Sequence, residues 1–161
     1  MYVSLYFRET YFINGGTNMK ISTKGRYALR LMIDLALQDP DKYIPLREIS
    51  KRQEISIKYL EQIAFLLLKN GYITSLRGLQ GGYKLQKKPE LYLVGDILRV
   101  IEGEIVPVTC LKTQSYPCGR SDTCKTLPFW KGLHAAVNDY LNSFTLADLA
   151  FENKISTDTE R

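Results

Sequence analysis

What this 161-residue sequence lacks narrows its class before any motif is read. Its longest apolar runs, such as the six residues Ile63 to Leu68, fall far short of the roughly 20 that a membrane-spanning helix needs. No membrane span is therefore expected. Cysteine is scarce, three in all, clustered at Cys110, Cys118 and Cys124; an odd, clustered set does not build the disulfide framework of a small secreted domain. Arg8 and Glu9 break the first apolar stretch and no small-residue cleavage pattern follows, so no secretion signal is read. The reducing cytoplasm is the expected compartment, where grouped thiols point to metal or redox chemistry. Histidine occurs once, at His134, and nothing pairs a base with a nucleophile, so an enzyme is not expected. Disorder is excluded by the 45% apolar content, enough for a buried core.

Charge is unevenly placed. From Met19 to Leu93 there are 14 basic and 7 acidic residues, a net of +7, whereas Val94 to Arg161 carries 7 and 9, a net of −2. The first half is thus expected to meet a polyanion and the second to do something else. Ahead of both, residues 1–18 are aromatic-rich and aperiodic. Gly15-Gly16 can be encoded by a sequence resembling a bacterial ribosome-binding site just before Met19, and residues 1–18 are accordingly expected to be an extension produced by a mis-assigned start.

In the basic half, Ser22-Thr23 offers a helix cap, and Tyr27, Leu31 and Leu35 recur at helical spacing until Asp39-Pro40. Pro45 suits the first turn of a short helix, Leu46 to Gln53. Glu54-Ile55-Ser56 then supplies a turn and a second cap, and Tyr59, Leu60, Ile63, Leu66 and Leu67 set the buried stripe of a helix running to Asn70-Gly71. Two short helices joined by a tight turn make a helix-turn-helix. Strand-like Tyr72 to Leu76 and Tyr83 to Leu85 flank Arg77-Gly78-Leu79-Gln80-Gly81-Gly82, a hairpin with a glycine-rich tip. A phosphate loop would join a strand to a helix and end in Gly-Lys-Ser/Thr, which is absent here. The expected class is mainly α with a small β-hairpin: a winged helix-turn-helix (19–93) followed by a dimerisation region (94–150) and a flexible tail (151–161).

In such an arrangement the second helix of the pair enters the major groove and the hairpin reaches the neighbouring minor groove or backbone. Ser56, Lys58 and Gln62 can bond phosphates or base edges, and Glu61 can accept from a cytosine amino group. Tyr59 is weighed against a core role. Lys24 and Arg26 are candidate phosphate contacts, and Arg77 is the wing's cation.

In the second half, Leu93 to Ile101 reads as a helix closed by Glu102-Gly103. Trp130, Leu133, Val137, Tyr140, Leu141 and Phe144 then form a wide apolar stripe on a long helix, about Pro128 to Ser143. So wide a stripe calls for a partner, and a symmetric dimer is expected. Thr145-Leu146-Ala147-Asp148 reads as a capping box opening a short last helix. Cys110, Cys118 and Cys124 lie in the loop between. Soft thiolates select iron–sulfur clusters, zinc or copper(I), and three ligands from one loop with one from elsewhere suit a cluster. Zinc is the direct rival, although the short Cys-x2-4-Cys pairing of structural sites is missing.

Taken together, Met19-Lys20-Ile21-Ser22-Thr23-Lys24-Gly25-Arg26-Tyr27-Ala28, Tyr59-Leu60-Glu61-Gln62, Arg77-Gly78 with Gly81-Gly82-Tyr83, Gly95-Asp96-Ile97, and Glu102-Gly103 resemble the Rrf2 family of bacterial transcription regulators, motif by motif and in order. The resemblance runs from Met19 to about Leu149. It implies a homodimer binding pseudo-palindromic promoter DNA, with contacts at Ser56, Lys58, Tyr59, Glu61, Gln62 and Arg77. Lys58 replaces the small hydroxyl residue of some members, so an operator does not transfer. Some members carry an iron–sulfur cluster ([2Fe–2S] or [4Fe–4S]) and others none. The first cysteine gap is two residues longer than in the best-known cluster-binding members. Where one branch has a histidine ligand this chain has Leu127, and where another has a partner carboxylate it has Arg26. His134 remains as a candidate fourth ligand, against simple packing, beside Asp122, Glu104 or an external thiol. Two functions follow as expectations: a DNA-binding regulator whose Cys110, Cys118 and Cys124 tune operator affinity, or a cluster-free regulator controlled by a docked metabolic enzyme.

Overall fold

The computed structural model describes residues 19–79, 81–112 and 118–151; the expectations for residues 1–18 and for the tail beyond Phe151 lie outside them. Helix α1 spans Thr23–Ala36, α2 Leu46–Gln53 and α3 Ile57–Lys69; strands β1, Ile73–Leu76, and β2, Gly82–Leu85, follow; then α4, Val94–Glu102, α5, Leu127–Asn142, and α6, Leu146–Ala150. Single 3-10 turns sit at Pro89–Leu91, Thr109–Leu111 and Ser121–Thr123.

The helix starts are where the capping residues put them. The Ser22 hydroxyl accepts from Gly25 N–H at 3.1 Å, and the Ser56 hydroxyl from Tyr59 N–H at 3.3 Å. Thr145 and Asp148 form a reciprocal capping box. Between α2 and α3 the chain turns at Glu54, held in the left-handed region at φ 55°. The turn is tightened by Ser50 Oγ donating to the Ile55 carbonyl at 2.6 Å. A bidentate pair fixes α2 against α1: Arg52 donates to both oxygens of buried Asp34 at 2.6 and 3.0 Å, and Gln53 Nε2 adds a third bond at 2.9 Å. Charge-assisted bonds of this fork geometry are among the stronger polar tethers.

β1 and β2 are antiparallel, with Ile73 opposite Leu85 and Leu76 opposite Gly82. Ile44 adds a third, single-residue rung, exchanging both backbone bonds with Tyr83 at 2.9 Å. This explains Gly82: a Cβ there would strike the Ile44 backbone. The mainly helical chain with its hairpin after α3 is a winged helix-turn-helix.

One core serves both halves. Leu31 and Met32 from α1, Ile49, Leu60, Ile63 and Leu67 are fully buried, and so are Ile97 of α4 and Leu146 of α6 in the same cluster. α6 is drawn back by backbone bonds from Leu146 N–H to Tyr92 O and from Val94 N–H to Phe144 O, each 2.9 Å. At the other end of α4, Glu102 Oε1 accepts from Ser22 N–H at 2.9 Å and from Ser22 Oγ at 2.7 Å. A carboxylate at a helix N-terminus is favoured by the helix dipole, and it fits here because Gly25 has no Cβ; one would collide with that oxygen. Thus two of the sequence's separate motifs, Lys24-Gly25-Arg26 and Glu102-Gly103, are two sides of one contact.

α5 differs. None of its 16 residues is buried. Val137 and Leu141, with Phe144 just beyond, pack on Val94, Leu98 and Ile105, while Arg99 ties α4 to Asn138 and Asn142 of α5 at 2.9 and 2.8 Å. Phe129 and Tyr140 are about two-thirds exposed. Among the described residues no helix is long and apolar enough to cross a membrane.

Candidate nucleic-acid interface and thiol segment

The first turns of α3 stand out from the body. Ser56, Lys58, Glu61 and Gln62 are exposed because Leu60, Ile63 and Leu67 take the buried side of the helix. Lys24, half-buried on α1, joins Lys58, Glu61 and Gln62 around a shallow groove of about 520 Å³. Four of the expected contacts are therefore neighbours. Ser56 is committed in part to capping, and Tyr59 is half-buried, its ring meeting Tyr27 edge-on at 5.5 Å. Tyr59 thus braces α3 against α1, the core role weighed for it in the sequence. Arg26 is exposed and donates to Thr23 Oγ1 at 3.0 Å. Arg77 is exposed just beyond β1.

Two residues on this surface escaped the sequence reading. Phe65 is 64% exposed on the groove; it lies off the apolar stripe of α3, and an aromatic on the polar side of a helix was the available signal. Leu79, in the wing's turn, is fully exposed. Apolar wedges at such positions unstack base steps in minor-groove binders.

The thiols are apart from this surface in sequence and setting. Cys110 sits in the Thr109–Leu111 turn and Cys118 just past residues 113–117, which lie outside the described residues; both are exposed. Cys124 is half-exposed immediately before α5, its Sγ 3.4 Å from Thr126 Oγ1. Hydrogen bonds from the Thr126 hydroxyl and then its backbone hold the Cys124 thiol below the ordinary value, with smaller help from Leu127 N–H and Arg120. Hydrogen bonding to the charged form is the usual route to a thiolate.

His134 is half-buried on α5 and shares a hollow of about 220 Å³ with Arg99, Glu104, Leu111 and Asn138. The hollow brings it beside Leu111, next in sequence to Cys110. Among the described residues, no three His, Cys, Asp or Glu side chains are grouped to hold a metal ion. In chemistry the three thiols suit a cluster; in geometry the described residues do not gather them, and no fourth donor joins them.

Comparison with known proteins identifies relatives of the whole fold. The family model Rrf2, described as an iron-dependent transcriptional regulator, matches residues 21–152. The protein rrf2 of Nitratidesulfovibrio vulgaris is 40% identical over 131 residues, 81% of this chain and 87% of that one. The HTH-type transcriptional regulator IscR of Erwinia tasmaniensis is 36% identical over 143 residues, 89% and 86% of the two chains. Among solved structures, CymR (YrzC), the global cysteine regulator of B. subtilis, superposes with a TM-score of 0.67 at 39% identity, covering 83% of this chain and 97% of that one.

Proposed function

The chain belongs to the Rrf2 family, a family of DNA-binding transcription regulators and not of enzymes, and from that premise we propose that it acts in the cytoplasm as a homodimer on promoter DNA, its affinity set by the state of Cys110, Cys118 and Cys124. The observation that carries the reading is the exposed polar start of α3 beside Lys24, in a half of the chain with net charge +7. Lys58, Glu61 and Gln62 read base edges or phosphates in the major groove, with Ser56 setting the helix start; Lys24 and Arg26 neutralise phosphates, and Arg77 follows the backbone or minor groove beside the wing. The half-sheltered stripe of α5, with Tyr140 outermost, is the dimer surface. Two α3 helices must then lie one DNA turn apart, roughly 34–36 Å.

The thiol segment joins α4 to α5, so its order bears on that separation. An iron–sulfur cluster on Cys110, Cys118 and Cys124 would supply redox and iron sensitivity. His134, Asp122, Glu104 or an external thiol would be the candidates for its fourth ligand. Without a cluster, the lowered thiol value of Cys124 favours its thiolate, the form that reacts with oxidants.

The test selects a site from random duplexes and titrates it. Arg77→Ala is expected to weaken binding by about 1–3 kcal/mol if it makes a specific contact, and Lys58→Ala to lower the salt slope by about one unit if it meets a phosphate. Binding unchanged in both variants removes this surface from the interface. Anaerobic purification with iron and sulfide counts, repeated on the three Cys→Ala variants, tests the thiols; superimposable operator curves for untreated, apo and variant protein would mean that the cysteines do not regulate DNA binding.

A further inference from the structure

A second cleft lies away from this surface, at the other end of α1. Lys24 and Leu35 are eleven residues apart on that helix, about 17 Å at 1.5 Å per residue. The cleft encloses about 730 Å³ between the last turn of α1, the segment leading into α2, the root of β2 and the residues after it. That volume falls within the range of small-molecule sites. Its apolar lining includes Leu35, Ile44, Leu85 and Phe151.

Its charged lining is mostly cationic. Lys42, Lys84, Lys87 and Lys88 border it, against Asp39 and Glu90. Lys42 is taken by Asp39 at 3.3 Å, and the Lys84 ammonium stands 5.0 Å from the centre of the Tyr43 ring. Lys87 and Lys88 enter no ion pair among the described residues. Thr74 also lines the cleft, and its Oγ1 is buried with no hydrogen-bond partner, alone in this among the described side chains.

We propose that this cleft is a binding site for a small organic anion with an apolar body, such as an aromatic carboxylate or sulfonate. The apolar walls take the body, and Lys87 and Lys88 at the rim take the charge. The site does not depend on the thiols or on DNA, and its occupancy is measured without either.

The test titrates the full chain with 1-anilinonaphthalene-8-sulfonate by fluorescence, with circular dichroism confirming the native fold throughout. Expected is saturable binding at one site per chain, weakened several-fold by the double change Lys87→Glu and Lys88→Glu and abolished by Ala36→Phe, which fills the cleft. The neutral analogue N-phenyl-1-naphthylamine should bind more weakly and ignore the charge reversal. Should Ala36→Phe not fold, the charge reversal decides alone. Absence of binding, or binding indifferent to Lys87 and Lys88, would overturn the proposal, the second outcome placing the dye elsewhere. Binding that emerges only after deletion of residues 152–161 would also overturn it, by showing that the chain's own tail fills the cleft.

Discussion

The helix-turn-helix half and helix α5 are built from similarly apolar stretches yet resolve them in opposite ways. In the first, apolar side chains from three helices, a strand and two later helices close over one another, and even the charged Asp34 is buried with three bonds. In α5, Trp130, Leu133 and Val137 are only half-sheltered, Phe129 and Tyr140 are open, and the preceding thiols face outward. The difference separates side chains that serve folding from side chains available to something outside the chain. A hydrophobic residue in the core is closed off by its partners; Phe129 and Tyr140 on α5 remain largely open to solvent.

The comparison breaks most visibly at single large side chains. Leu146→Ala should cost about 2–5 kcal/mol, since a fully buried leucine leaves a cavity, and urea unfolding measures it. Tyr140→Ala should change the stability of the dilute chain by no more than about 0.5 kcal/mol, while shifting the concentration dependence of sedimentation. Equal losses in both would show that α5 is as much a part of the fold as α6.

Next in size is the polar tether. Asp34→Asn removes the charge that orients Arg52 and Gln53 and is expected to cost about 1.5–3 kcal/mol by chemical unfolding, the range for bonds to a charged group. Arg52 is itself partly exposed, with a side-chain accessibility of 37%, so water takes up some of the loss. A change below the error of the measurement would make the fork ornamental.

The smallest effect sharpens the contrast on the other side. The Cys124 thiol ionises below its ordinary value, so its alkylation by iodoacetamide should rise at lower pH than that of a thiol with the ordinary value. Thr126→Val removes the largest cause and should move the Cys124 midpoint upward. Site-resolved mass spectrometry reads both. A midpoint unmoved by Thr126→Val would assign the effect to the backbone amides instead.

Local chemistry was legible in the sequence; long-range chemistry was not. Ser22, Ser56 and the Thr145–Asp148 box announce helix starts because a cap acts within three or four residues. The wing was equally plain from two strand-like segments around glycines. By contrast, the Asp34–Arg52 fork spans 18 residues and the Glu102–Ser22 bond 80, and neither leaves a periodic trace. Gly25, Gly82 and Glu102 could be seen as motif residues, but what each makes room for requires two segments in place. The same limit applies to the site: Lys24, Lys58, Glu61 and Gln62 could be named from the sequence, whereas their gathering around one groove needed the packed α1–α3 pair. Ser56 and Tyr59 show the converse, since capping and ring packing claim groups that the sequence offered to DNA.

The return of α6 has a consequence for how the protein is made. Leu146 closes a cavity bounded by α1, and its backbone pairs with Tyr92, so a nascent chain that has emerged only as far as the wing lacks one wall of its own interior. Domains assemble from the N-terminus as synthesis proceeds, but this one cannot finish until the thiol segment and α5 have been synthesised. A chain ending before α6 would therefore keep an open core and be a substrate for proteolysis.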